Sequence, residues 1–473
     1  MPERHTGRGL VAACLAASLM PLNSTMIAVA IPDIAAELHH DPSTVTQALV
    51  ATYLVAAIAL QSPGGRLGDR LGHWRVLTIG RVVLGGGALL GFLGASLELL
   101  AVSRVLMAAG GAIVVPATVA LIRLEVPPNR RGRAFGTFGA VMSLAAGLGP
   151  IVGGELVHVF GWKSIFLSNL PVLALSVLLG AGVTAAPAMI RTQTRFDWLG
   201  SALLTAALSL LVLGSQVSGP ASVVLLAVGA ALWVPFVWVQ RRVSDPVLSF
   251  TLFRSASFTA GALLIALLNL VMYALLFEIP LVLAALSPLD ARQTGRLLVY
   301  LLLAMVVASV AAGRLTDRFG ARSVALAGTL VCLTGMGALL AAPLESAGQV
   351  RAPLALLGVG LGLTNPAAQA ASLTHVSRDQ SGMAAGVSST MRYLGGVVGV
   401  ATLGRVLDPD GSSSSVLAQH HALLTVFVAV LLGGLVCVRF LPGAPVIPHA
   451  PGPAGSRNGE GRGHGDGSGR SHP

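Results

Sequence analysis

Only 10% of the 473 residues are Asp, Glu, Lys or Arg, so every charge inside an apolar run is a candidate for chemistry. Arg392 lies about ten residues into the run 383–406. At mid-depth in a bilayer its insertion costs roughly 2.5–3.5 kcal/mol. That calls for a water-filled cavity, and with it a substrate or coupling role, or else for a buried structural partner. Glu278 and Glu155 are the two acids well inside apolar runs. A Glu that takes up and releases a proton as its surroundings change suits a proton carrier, whereas one near a helix end is often interfacial. Asp33 and Glu37, at the end of the first run, are candidates for proton entry. Arg104 is a further coupling candidate; like Arg81, it is close enough to a helix end to extend its stem to the surface. Asn23-Ser24-Thr25 places uncharged hydrogen-bonding groups at mid-depth. These either face a substrate cavity or bond back to their own helix. His39, His40, His420 and His421 read as pairs in outer loops, without metal-ligand spacing.

A second set of candidates comes in duplicate. Gly65-Arg66-Leu67-Gly68-Asp69-Arg70-Leu71-Gly72 recurs as Gly313-Arg314-Leu315-Thr316-Asp317-Arg318-Phe319-Gly320, an offset of 248. A carboxylate at such a helix end can cap the start of a neighbouring helix and pair with an Arg. Asp69, Arg70, Asp317 and Arg318 are therefore expected to latch one side of the molecule shut. Gly110 and Pro116 echo at Gly360 and Pro366, and Gly132, Gly136, Gly149 and Gly154 at Gly382, Gly386, Gly399 and Gly404, all at an offset of 250. Gly149 and Gly153, four apart around Pro150, have the spacing that lets helix backbones touch. The expectation is a bendable helix at the interface between two halves.

The elements that must position these residues are membrane helices. With 54% hydrophobic residues, and far less than the roughly 25% charge of a soluble domain, there is too little polar surface for a water-facing shell. A soluble enzyme, a secreted disulfide scaffold and a disordered regulator are excluded. Fourteen stretches approach the roughly 20 apolar residues of a bilayer crossing: 9–31, 43–63, 76–96, 99–121, 134–158, 164–185, 198–217, 221–239, 258–285, 293–312, 323–342, 352–373, 383–406 and 420–441. With the N-terminus inside, 22 of the 30 Lys and Arg residues fall in inner segments and five in outer ones. The positive-inside rule then places both termini in the cytoplasm. The formal charge of +11 is thus topological, and no nucleic-acid partner is expected. The first apolar run is too long for a cleaved signal.

The duplicated motifs make stretches 1–6 and 9–14 parallel repeats, with stretches 7 and 8 inserted. The expected fold class is an all-α polytopic membrane protein of 14 transmembrane helices. Its parts are an N-terminal six-helix half (1–190), inserted helices (191–250), a C-terminal six-helix half (251–441) and a disordered cytoplasmic tail (442–473). Such a design alternates access around a midplane site. Cys14, Cys332 and Cys437 all lie in apolar runs and read as packing residues. No phosphate loop and no metal cluster is present, so no nucleotide, no metal and no cofactor is expected, and no enzymatic activity.

The loop Gly65–Arg75 resembles the signature of the major facilitator superfamily. Gly139, Gly147, Gly149, Pro150, Gly153 and Gly154 resemble the helix-5 signature of its antiporters. Leu22–Pro32, Trp162–Pro171, Phe196-Asp197-Trp198-Leu199-Gly200 and Gly382–Gly399 are similar to the fourteen-helix drug:proton antiporter family. The chain departs from that family at Asn23, where an acid is usual, and at Met107, where a glutamine is common. The resemblance implies a multidrug or antibiotic exporter of the cell membrane, whose partners are a small hydrophobic organic substrate, protons and the lipid bilayer. The alternatives are an uptake or uncoupled facilitator of a small metabolite, and a non-transporting membrane sensor or scaffold.

Overall fold

The computed structural model describes residues 2–181, 196–216, 219–286, 291–342, 347–407 and 412–443. Among the described residues every regular element is helical. In chain order the principal helices are α1 (Gly7–Leu38), α2 (Thr44–Leu71), α3 (His73–Leu93), α4 (Leu97–Glu125), α5 (Arg131–Phe160), α6 (Ser164–Gly180) and α7 (Trp198–Gln216). They are followed by α8 (Pro220–Arg242), α9 (Ala256–Leu286), α10 (Ala291–Phe319), α11 (Ala321–Leu340), α12 (Ala347–Ser372), α13 (Ser381–Val406) and α14 (Ser413–Val438). Among the described residues, each of the fourteen apolar stretches overlaps one of these helices. Eleven are long and apolar enough to cross a membrane. The α6 and α7 apolar runs are shorter, and α13 is diluted by glycine, serine, threonine and Arg392.

The helices are apolar on most faces because lipid, not water, surrounds them. Val82, Leu178, Val234 and Val307 point outward. Turn chemistry sets the boundaries. Ser96 caps α4 by accepting from the Leu99 N–H at 3.3 Å, and Ser412 does the same for α14 at Ser415. Gly72 ends α2 with φ of 91° and Gly320 ends α10 with φ of 83°. Both occupy the left-handed region that side chains resist, and they stand at equivalent positions of the duplicated motif. The repeat is therefore a repeat of backbone geometry as well as of letters.

Two apolar cores form. One gathers α1–α7 with Phe236 of α8, Phe258 of α9 and α13 as far as Val397, and the other α9–α12 with α14 and the end of α13; Leu19, Leu84 and Leu173 form a small third cluster. Helix α5 packs along α10, and α2 along α13. α7 lies against α2, and α8 against α7. Cys14, Cys332 and Cys437 are buried free thiols. The tail beyond residue 443 and the expected 190/191 boundary lie outside the described residues.

Candidate transport site

At mid-depth, α1, α5, α9, α10, α12 and α13 line a cavity. Phe138, Met142, Met272, Leu302 and Met305 give it apolar walls. Its polar side is made of Arg392 and Tyr393 from α13, Tyr273 and Asn269 from α9, and Asn365 from α12. Arg392 follows the start of α13 by eleven residues, about 16 Å at 1.5 Å per residue, near the middle of the hydrocarbon. Its Nη2 donates to Gln369 Oε1 at 2.9 Å, and Asn269 Nδ2 donates to Asn365 Oδ1 at 3.2 Å. Among the described residues no carboxylate lies within ion-pair distance of Arg392.

One end of the bundle is fastened by the duplicated motif. Asp69, at the end of α2, accepts from the backbone N–H groups of Gly382 (2.6 Å) and Met383 (2.8 Å) at the start of α13. Asp317, at the end of α10, accepts from Gly132 (2.7 Å) and Arg133 (3.1 Å) at the start of α5. Each carboxylate thus meets the positive end of a helix far away in sequence; the Asp317 contact joins the two cores. The arginines divide differently from the sequence expectation. Asp69 is 3.7 Å from Arg66, not Arg70. Arg70 reaches Asp245, 3.9 Å away, which also pairs with Arg66. Arg318 is exposed and stacks on Phe319, with no ion pair among the described residues; Asp317 instead lies 3.7 Å from the exposed Arg133 of α5. Arg123 adds a third tie: its Nε donates to Leu373 O at 2.7 Å and its Nη2 to Val376 O at 3.1 Å, beyond the end of α12. Asp245 and Arg123 were not singled out in the sequence, because the partner of each lies on an element distant in sequence.

The acids separate sharply. Glu278 is fully buried, and its Oε1 lies 2.9 Å from Nδ1 of His420, also fully buried. Among the described residues, Glu278 Oε2 and His420 Nε2 have no partner. This corrects the expectation for His420: it lies inside α14 and turns inward, whereas His421, next in sequence, faces outward. Glu155 and Asp33 are exposed on the bundle surface, so neither is a carboxylate enclosed by protein.

Two buried polar residues also differ from expectation. Arg104 does not snorkel. It is 1% exposed, donates to Leu49 O (2.9 Å) and Asn23 O (3.2 Å), and lies 4.0 Å over the Tyr53 ring. Turned inward, it ties α1, α2 and α4 together. Arg81 is also buried. Asn23 is not a cavity residue. It forms a reciprocal amide pair with Asn169 of α6, at 2.6 and 3.1 Å.

The helix-5 glycines are also redirected. A methyl group on Gly149 would meet Leu22 O at 3.0 Å, and one on Gly153 would meet Met26 O at 3.0 Å, so this stripe seats α5 on α1 within one core. Gly154 faces open space. The contact with the other core is made by Gly132 and Gly136 against Gly313 of α10.

Residues 13–400 match the Major Facilitator Superfamily. The chain belongs to this superfamily. It is a multi-pass membrane transporter and not an enzyme. It is 30% identical to "Uncharacterized MFS-type transporter YvkA" of Bacillus subtilis, over 92% of this chain and 96% of that one. It is 30% identical to "Multidrug resistance protein Stp" of Mycobacterium tuberculosis, over 84% and 75%. The "Probable actinorhodin transporter" of Streptomyces coelicolor is 32% identical over 82% and 70%. The solved major facilitator proton:xylose symporter XylE superposes with a TM-score of 0.69 at 13% identity, covering 94% of this chain and 97% of XylE, which shows the shared fold.

Proposed function

We propose that this major facilitator exports small, largely apolar organic compounds, of the drug and antibiotic kind, across the cell membrane in exchange for protons. The observation that carries the reading is the mid-depth cavity between two cores whose Asp69 and Asp317 end is fastened shut. A cavity walled off at one end and placed at the interface is what alternating access requires. The relatives named as multidrug and actinorhodin transporters support organic export. The fastened end collects Arg66, Arg70, Arg123, Arg130, Arg131 and Arg133, and we assign it to the cytoplasm. Pro442 O accepts from the Arg322 N–H at that end, which supports the same assignment for the residues after α14. All fourteen helices cross the bilayer in this reading. Those preceding residue 190 and those following 251 rock as the two halves, with α7 and α8 riding on the first.

The buried Glu278–His420 pair is our choice for the proton site, because a proton held between its two groups leaves the pair without net charge in the interior, and its release is what changes that charge. The test is the decay of a preset pH gradient in inverted vesicles on adding hydrophobic drugs and antibiotics. Compound-dependent proton release, absent from vesicles lacking the protein, is the expected result. Flux without proton movement would remove the antiport, and silence in both export and uptake assays would remove the transport reading.

A further inference from the structure

The charge of the cavity carries a statement about what it binds, resting on the transport reading for its purpose. We infer that the site takes organic acids: molecules with a carboxylate, phenolate or sulfonate on an apolar frame, whose anionic group is received by Arg392.

Among the described residues, Arg392 is engaged through one neutral acceptor, Gln369 Oε1. A guanidinium offers five N–H donors in a planar fork and matches an oxyanion bidentately. The remaining donors are not sealed in protein: none is a buried atom lacking a partner, and the residue lines the cavity. No Asp or Glu lines that cavity. The following acids of the bundle interior are committed elsewhere. Asp69 and Asp317 are on helix starts, Asp245 is on Arg66 and Arg70, Asp197 is on Gly200 and Gln240, and Glu278 is on His420. Arg104 shows what a structural arginine looks like here. It also lacks a carboxylate, but carbonyls and an aromatic face occupy it, away from the cavity.

Neighbouring groups favour the same ligand. The Tyr273 and Tyr393 hydroxyls line the cavity and make no hydrogen bond among the described residues, so both are free to donate to an oxyanion. Phe138, Met142 and Leu302 provide the surface for the apolar frame. A cationic compound would meet Arg392 with no acid to offset it. A neutral compound would leave a desolvated charge unpaired, at a cost that an acid removes.

Two measurements test this on the full chain in liposomes. The first needs no substrate: S143C introduces a thiol on the α5 wall of the cavity, and the native thiols are buried. Relative to a free thiol in solution, S143C should react about tenfold faster with sulfonatoethyl methanethiosulfonate than with its trimethylammonium counterpart. R392Q should abolish that bias and R392K keep it. No bias, a bias indifferent to R392Q, or no reaction with either reagent overturns the inference. The second measures flux of anthraquinone-2-carboxylic acid, its carboxamide and its 2-aminomethyl analogue. The acid should be moved at least about tenfold better, the gain of a charge-assisted hydrogen bond, and R392Q should erase the difference. Preference for the amide or amine overturns the inference while leaving transport standing. A thiol bias governed by Arg392 with no flux of any compound removes the transport reading and supports the anion site.

Discussion

Single residues divide into those that carry charge across the cycle and those that hold the frame. Glu278 and His420 belong to the first set. E278Q and H420N should each abolish substrate-driven proton release, and the double variant should be no worse than either, because the two act as one unit; a pH-sensitive dye in inverted vesicles reads this directly. Asn23 belongs to the second set. N23A strands the Asn169 amide, which still bonds Ile165 O and Phe166 O but loses its reciprocal partner. A cost of about 1–3 kcal/mol should appear as a lower Tm in detergent, with flux per folded molecule retained. The depth of Arg392 and Glu278 was readable from the sequence, since position along an apolar run is position across the bilayer. The partner of Glu278 was not, because it lies 142 residues away near the edge of a run, where a histidine looks like loop. Nor was the direction of Asn23: which face of a helix meets which neighbour is a property of the assembled bundle.

At the scale of helices, the glycines act as spacers whose effect depends on what they face. G149V should drive α5 off α1, because its side chain has Leu22 O and Thr25 in the way. G154V, five residues along the same helix, enters open space. The first should lose folded protein in membranes and the second should leave yield and Tm unchanged; equal effects would dissolve the assignment of this stripe to the α1 seam. Sequence alone gave the spacing and the repeat offset but placed the stripe at the wrong seam. Gly149 and Gly153 carry the closest-packing signature, yet the α5–α10 seam uses Gly132 and Gly136, whose pairing with Gly313 becomes visible only when both helices are in place.

The whole molecule is fastened at one end by two like contacts, Asp69 on α13 and Asp317 on α5, and its populations should follow their number. D69N and D317N each remove the charge from one cap, a loss of about 1.5–3 kcal/mol for hydrogen bonds to a charged group. Each single variant should shift the open-to-closed ratio at this end by roughly tenfold or more, and the double variant by about the product, the sites being far apart. Distances between spin labels across the Asp69 end would record it; a single variant that opens this end as fully as the double would contradict independent fastenings. The duplicated motif announced these two sites from the sequence. The uneven arginines, with Arg66 and Arg70 on Asp245 and Arg318 on no acid among the described residues, depend on the inserted helices, which accompany only one half.

The receiving side of each fastening is main chain. The amides of Gly382, Met383, Gly132 and Arg133 are encoded by every codon except those for proline, so exchanging the exposed Arg133 side chain leaves its half of the bond in place. A saturation scan read out as survival on an exported toxin should therefore be lopsided. Asp69 and Asp317, with the glycines beneath them, should tolerate almost nothing, while Arg133 should accept most replacements and refuse proline. On the receiving side, heritable variation reaches this closure only through proline or through the close-packed Gly132 and Gly382.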